Sequence, residues 1–454
     1  MNRIVLIFFV AFVVGKNSYA VEGLTLKDAI NNALSSDARI SEKQAYVQHA
    51  RALLDEAQGS DDITFSANSF VGFSPGLDGG PFKEGSCGSA QECQFRDDRF
   101  TLGDGLSPWF YLQYGIIKPL KTFGKIENYS IAAKHNIAIK TQDVRIQRGA
   151  TIYDTKRAYY GYLTAKNTRL FLVDTKKRIS NAKESIEAQL EDDEGDVTQS
   201  DLFAMESAQS LAESYIVRAK ALEEVAVGGL KVLMGYDKSE NVVLAEKNLI
   251  PLDLPKLVLI DLQKKAMTER PEMKQLNHGL KAQRALIKAN HSMKKPNLYA
   301  GIVGMLSYSP LRDRVDNPHI YDPFNDTGTT PIVGVQWEWA GGVQNAKIKQ
   351  AQAELNALLA KDNFAKRGIP YQVEESYHQA HAYNKALNAM KKSAKFARKW
   401  MISSYTDFEA GLEPVDKLVT AFTAYVTTYT DYLSLVYQYN MQIAMLEQVT
   451  GEYQ

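Results

Sequence analysis

The chain of 454 residues is short of several things, and each shortage excludes a class of protein. It carries no net charge, with 53 basic and 53 acidic residues, whereas a nucleic-acid binder shows a basic excess or stripe. Past residue 20 there is no uninterrupted apolar run of about 18 residues, so no transmembrane helix is expected. There are only 7 histidines and 2 cysteines, and no His lies near Cys87 and Cys93, so no metal site is expected there. No nucleophile elbow, zinc-protease, phosphate-loop or dinucleotide motif stands in a plausible setting, so no enzyme and no cofactor are expected. Proline is absent from Phe123 to about Leu190, a stretch broken by only three glycines.

What is present begins with an export signal. Arg3 precedes the apolar run Ile4 to Val14, too short to span a bilayer, and Ser18-Tyr19-Ala20 offers small residues to a signal peptidase. Residues 1–20 are read as the signal peptide, with no cysteine at the cleavage point to carry a lipid. In an exported chain Cys87 and Cys93, flanking a short polar loop, read as a local disulfide in preference to two free thiols.

The chain is also written twice. Leu24 to Pro75 lies on Leu257 to Tyr308 without a gap, matching Asp28 with Asp261, Arg51 with Arg284 and Ser74 with Ser307. A second stretch matches Gly195 with Gly411, Leu202 with Leu418 and Gly235 with Gly451. Each copy is far longer than a solenoid repeat. The first, 21–250, reads as helix, β-hairpin (61–119) and a long helical hairpin with its tip near 191–200. The second, 251–454, repeats that order with a hairpin at 296–340 and a tip near 405–416.

Periodicity supplies the elements. Leu24 to Gln58 reads as helix, and Ile63 to Phe73 alternates as a strand. Trp109 to Ile117 is a second strand, ended by Pro119. Asn297 to Tyr308 and Ile332 to Trp339 are the later pair, with a polar loop from Ser309 to Thr330 and a turn at Gly341-Gly342. Heptad-like apolar spacing from Phe123 to Leu190 predicts a helix about 100 Å long, of the coiled-coil kind. A break at Arg270-Pro271-Glu272 and an interruption at Gly368-Ile369-Pro370 are expected.

Four strands cannot close a barrel, and an open sheet leaves bare edges. Strands of about 8–12 residues, with Trp109, Trp337 and Trp339 as an aromatic girdle, suit a membrane barrel shared between copies. Taken together, the signal, the duplication, the strand pairs and the tips Gly195 to Leu202 and Gly411 to Leu418 resemble the TolC-like outer-membrane efflux proteins, across about 430 residues. The resemblance implies a mainly α fold with a small β part. Long antiparallel coiled-coil helices would be joined to a 12-stranded barrel shared by a homotrimer. It implies a passive duct of a tripartite efflux or type I secretion system in the outer membrane of a Gram-negative bacterium, extending into the periplasm. Its partners would be a periplasmic adaptor, an inner-membrane transporter and outer-membrane lipid.

The candidate gate residues are the tip acids Asp193, Glu194, Asp196, Asp201, Glu413 and Asp416, each tripled into a ring that favours cations. Lys417 and Thr420 stand where such relatives often place acids, and Asp201 and Lys417 are candidates to pair across neighbouring tips. Gly195 and Gly411 are the expected adaptor contacts. His378 and His381, near Glu374 and Glu375, are read as a solvated helix face. The alternative class is an exported coiled-coil scaffold, which the four aromatic strands do not fit.

Overall fold

The structure is a computed structural model and describes residues 23–77, 82, 94, 105–192, 197–314, 321–338 and 341–452. The signal segment, Cys87 and Cys93 lie outside the described residues, as do Asp193, Glu194, Gly195, Asp196 and Trp339. The elements run α1 (Leu26–Ser36), α2 (Ala38–Gly59), β1 (Thr64–Pro75), β2 (Leu106–Lys121), α3 (Lys125–Glu191) and α4 (Gln199–Met234). The same order then recurs as α5 (Leu259–Glu269), α6 (Pro271–Ser292), β3 (Asn297–Tyr308), β4 (Asp326–Gln336), α7 (Gly341–Glu409) and α8 (Val415–Thr450). None of these helices is long and apolar enough to cross a membrane.

Two compact units emerge, and each takes segments from both halves of the sequence. The first comprises residues 1–44, 142–274 and 364–454. Its interior is helix against helix. Tyr159, Leu163, Leu230, Val373, Val436 and Tyr439 form one buried cluster; Ile179, Ile186, Met205, Phe408, Leu418 and Phe422 form a second. α1 packs on α4 and α5 packs on α8. The connection from Tyr236 to Val258 has little regular structure, yet two asparagines hold it. Asn440, fully buried, accepts from Leu252 N and donates to the Ile250 carbonyl, both at 2.9 Å. Asn167 donates to the Lys247 carbonyl at 3.1 Å and accepts from Leu249 N at 3.3 Å. Each side-chain amide thus satisfies backbone groups that a neighbouring strand would otherwise satisfy.

Three helix boundaries differ from the periodicity reading. Leu24 to Gln58 is two helices, because Asp37 leaves the helical region at ψ 110° and turns its carboxylate onto the start of α2, accepting from Arg39 N at 2.9 Å. Arg39 also holds that carboxylate with Nε and Nη2, at 3.1 and 2.8 Å. At the same offset in the second half, Arg270 separates α5 from α6 and donates to Glu272, so the acid and the base have exchanged places. In contrast, α7 runs unbroken through Gly368-Ile369-Pro370, and it starts at Gly341 where a turn was expected. The apolar ridge of Ile369 and Val373 stays buried through that stretch, so tertiary packing outweighs the proline.

The second unit, residues 45–141 and 275–363, carries the sheet. Its four strands are antiparallel in the order β1-β2-β3-β4, which leaves β1 and β4 as the edges within the chain. Pro119 does not end β2. The strand continues to Lys121 with a register shift between the two residues, as expected where proline has no N–H for the ladder. β4 begins six residues before Ile332, at Asp326, because Thr327, Thr329 and Thr330 pair with β3 in what was read as loop. Threonine is β-branched and suits a pleated surface.

Candidate functional site

The sheet registers sort its side chains into two unlike faces, since neighbours across the ladder share a face and successive residues alternate. One face carries Phe65, Val71 and Phe73 of β1 and Phe110, Leu112, Tyr114 and Ile116 of β2. It continues with Ile302, Leu306 and Tyr308 of β3 and Val333 and Val335 of β4. Most of these are exposed, including Phe73 at 73% and Val333 at 74%. The other face carries Ser66, Asn68, Gln113, Ser307, Thr330 and Gln336 beside half-buried Tyr111, Ile117, Val303, Met305 and Ile332, with Phe70 exposed among them. The apolar face is smoothed across β3, where the Tyr114 ring lies over Gly304 and its hydroxyl meets Thr329 of β4. A Cβ on Gly304 would stand 2.4 Å from that ring.

Strand length fits the same use. β1 and β3 each have 12 residues, about 40 Å along the strand and about 30 Å in height at a tilt near 40°. The hydrocarbon core of a bilayer is about 30 Å thick. A sheet with one greasy exposed face and two unpaired edges is an aggregation hazard as an isolated object.

Trp337 directly follows β4, is exposed, and donates to the Lys294 carbonyl at 3.2 Å. Trp109 stands on the more polar face, not the greasy one. Its indole donates to Ser307 at 2.7 Å, and its ring packs edge-on to Phe70 and Phe324. Parity along β2 already separates Trp109 from Phe110 and Leu112.

Beyond the Trp109 end of the sheet lies a polar cluster that sequence reasoning missed. Ser74, Ser107 and Ser309 are buried and linked, Ser74 to Ser309 at 2.7 Å and Ser309 to Ser107 at 2.6 Å. Arg312 and Asp322, both nearly fully buried, pair through Nε and Nη2 at 3.1 and 3.2 Å. Arg312 also donates to the Pro75 carbonyl at 2.8 Å, tying the segment after β3 to the end of β1. The sequence signal was slight: three serines and an Arg–Asp pair scattered over regions read as loop.

The helix tips belong to the first unit. Asp201 and Thr198 form a reciprocal capping box at the start of α4, with the Thr198 hydroxyl donating to Asp201 at 2.6 Å. Lys417 lies 3.7 Å from Glu413 on the first turn of α8, next to Asp416. Within one chain, then, Asp201 and Lys417 each have a local partner. Gly411 has φ +71° and forms the stop of α7, where its N–H donates to the Phe408 carbonyl at 2.9 Å. Glycine is favoured there by backbone conformation alone. On α7 His378 is exposed and His381, half-buried, lies against the ring of Tyr377; no cluster able to hold a metal occurs among the described residues.

Burial alone would raise the Asp37 carboxyl, but hydrogen bonds from Arg39 and from Thr151 at 2.6 Å outweigh it and hold the group below the usual range. The Tyr160 hydroxyl is pushed up to about 12 by burial and by Glu447.

One unit built of helical hairpins and another that carries a four-stranded antiparallel sheet define a class: the chain has the fold of the TolC-like outer-membrane channels. The outer-membrane channel CmeC of Campylobacter jejuni superposes with a TM-score of 0.74 at 12% identity, over 94% of this chain and 85% of that one. The open state of the Neisseria gonorrhoeae outer-membrane channel MtrE gives 0.73 at 15% identity, over 94% and 88%. CusC, crystallised in a study of its folding and transmembrane channel formation, gives 0.74 at 15% identity, over 94% and 92%. No protein-family model matches the chain, and no curated protein sequence matches it.

Proposed function

We propose that the chain is the outer-membrane duct of an export system, passive itself and driven by its partners. Three copies would contribute four strands each to one closed barrel of twelve, and closure alone removes the bare edges of β1 and β4. The observation that carries the reading is the segregation of exposed apolar side chains onto one face of that sheet. Lipid would cover Phe65, Val71, Phe110, Leu306 and Val333, and the face with Asn68 and Gln113 would line the lumen. Trp337 would sit in one aromatic girdle. Trp109 faces the lumen in this reading, so Phe73, Phe110 and Tyr308 take the girdle role at the other edge.

The helical hairpins of residues 21–250 and 251–454, two copies of one ancestral unit, would line a conduit through the periplasm. Asp201, Glu413, Asp416 and Lys417 would ring its inner end, with the neighbouring acids Asp193, Glu194 and Asp196. An adaptor would dock at Gly195 and Gly411, and an inner-membrane transporter would supply the energy. Membrane extraction tests the reading. The protein is expected to stay with the membrane through high salt and alkaline washing and to leave it only in detergent. Release by salt would instead fit a peripheral scaffold.

A further inference from the structure

We propose that Lys118 and Lys121, brought to one face by the bulge at the end of β2, bind the phosphate of an anionic phospholipid at one rim of the apolar sheet face. The proposal rests on the duct reading above and names the lipid chemistry that this rim recognises.

Charge is nearly absent from the sheet, which makes its position informative. The four strands together hold two cations, Lys118 and Lys121, and one anion, Asp326. Asp326 opens β4 and pairs with Ser307 on the more polar face, at the Trp109 end of the sheet. Both lysines lie in the last four residues of β2, at the opposite end, next to the turn into α3.

Residue parity alone puts Lys118 and Lys121 on opposite faces. The ladder reverses that. Lys118 pairs with Ala300, Pro119 with Tyr299 and Lys121 with Leu298, so Leu120 is the extra residue of a bulge. Pro119 has no N–H to hold a regular ladder there. Ala300 and Leu298 belong to the face of Ile302, Leu306 and Tyr308, and they pair in turn with Val333 and Val335. Both lysines therefore leave the apolar face, two rungs apart, about 7 Å along β3. Their flexible four-carbon stems let the two ammonium groups converge on one phosphate.

Their height also fits. Leu298 is ten residues from Tyr308, about 33 Å along the strand and about 25 Å in height at a tilt near 40°. A lipid-facing band of barrel strands is about 25 Å tall, so the lysines stand where hydrocarbon gives way to headgroups. Trp337, exposed, stands at the same rim, its indole on the Lys294 carbonyl.

The lysines are left with their charge. Neither forms an ion pair among the described residues, although Asp61 and Asp62 stand exposed just before β1 at this rim. The Lys121 ammonium lies 5.2 Å from the ring centre of exposed Phe123. Phe123 has φ +51°, the one positive φ outside glycine among the described residues, and Gly124 follows at +88°. That strained turn holds an aromatic face against the cation, which steadies it without neutralising it.

In the duct reading the helix-bearing end of the sheet faces the periplasm, so this rim meets the inner leaflet. Acyl chains would lie on Leu298, Val333 and Val335, and the phosphate would take the two ammonium groups. A lipid with net negative charge is favoured over phosphatidylcholine, whose own trimethylammonium offsets its phosphate.

Trace spin-labelled lipids in phosphatidylcholine vesicles that contain the full-length protein test this, the motionally restricted fraction giving the relative affinity for each headgroup. Phosphatidylglycerol is expected to be preferred over phosphatidylcholine several-fold, and the preference to fall as sodium chloride rises. Lys118→Gln with Lys121→Gln is expected to abolish it. Lys118→Arg with Lys121→Arg is expected to keep it, as is the charge-matched control Lys385→Gln with Lys392→Gln on α7. Inorganic phosphate is expected to compete no better than chloride at equal ionic strength; selective displacement by it would overturn the lipid assignment. No preference in the parent chain, or a preference that survives the glutamine pair, overturns the site. Protein that salt releases from the vesicles removes the duct reading and the site together, whereas inserted protein without headgroup preference removes the site alone.

Discussion

At Asp37 a single carboxylate does several things at once. It ends α1, caps α2, binds Arg39 through two oxygens and accepts from the buried hydroxyl of Thr151. Its folded pKa is held below the ordinary 3.8 despite burial, so its contribution to stability is present above that value and is lost as pH falls through the folded pKa. Asp37→Asn is therefore expected to destabilise the protein at neutral pH and to flatten the drop in stability below about pH 4. Thermal unfolding across that range in detergent measures it; an unchanged acid slope would show that other carboxylates set it. None of this was legible in the sequence, where Ser35-Ser36-Asp37 carries neither proline nor glycine and the apolar spacing runs on past it. In the second half the same break was legible because Pro271 follows Arg270, and proline is favoured at the first position of a helix.

At the scale of elements, long helices and strand positions were readable and their ends were not. Alternation placed β1 and β3 within a residue or two, and the proline-free stretch gave α3. β2 and β4 outran their apolar patterns because ladder partners, not their own residues, decide where a strand stops: Lys121 has Leu298, and Thr327 has Leu306. The two faces were present in the residue parity of each strand, yet which parities belong together depends on register, which needs the pairing. The faces make a direct prediction. Val71→Arg, near the middle of β1 on the apolar face, is expected to cost about 2–4 kcal/mol of folding free energy in lipid, whereas Asn68→Arg on the other face is tolerated. Folding into vesicles, titrated with denaturant, separates the two; equal effects would mean that lipid does not cover this face.

For the whole molecule, the likeness to solved channels at 12–15% identity fixes the fold, and the chain's own side chains carry the functional reading. Among the described residues the sheet has its greasy face open and both edge strands, β1 and β4, without a further ladder partner. In the proposed reading, further copies would pair both edges. Of the tip acids expected from the sequence, Asp201, Glu413 and Asp416 fall among the described residues, at the turns before and into α4 and α8. The local ties of Asp201 to Thr198 and of Lys417 to Glu413 needed the folded turns to be seen.

The most direct measurement is the conductance of the detergent-purified protein in a planar bilayer, taken on a sample whose oligomer mass is known. A trimer giving discrete, cation-favouring steps that enlarge when Glu413 and Lys417 are replaced together by alanine is the expected result. A single-chain species that inserts no conductance would contradict the central claim.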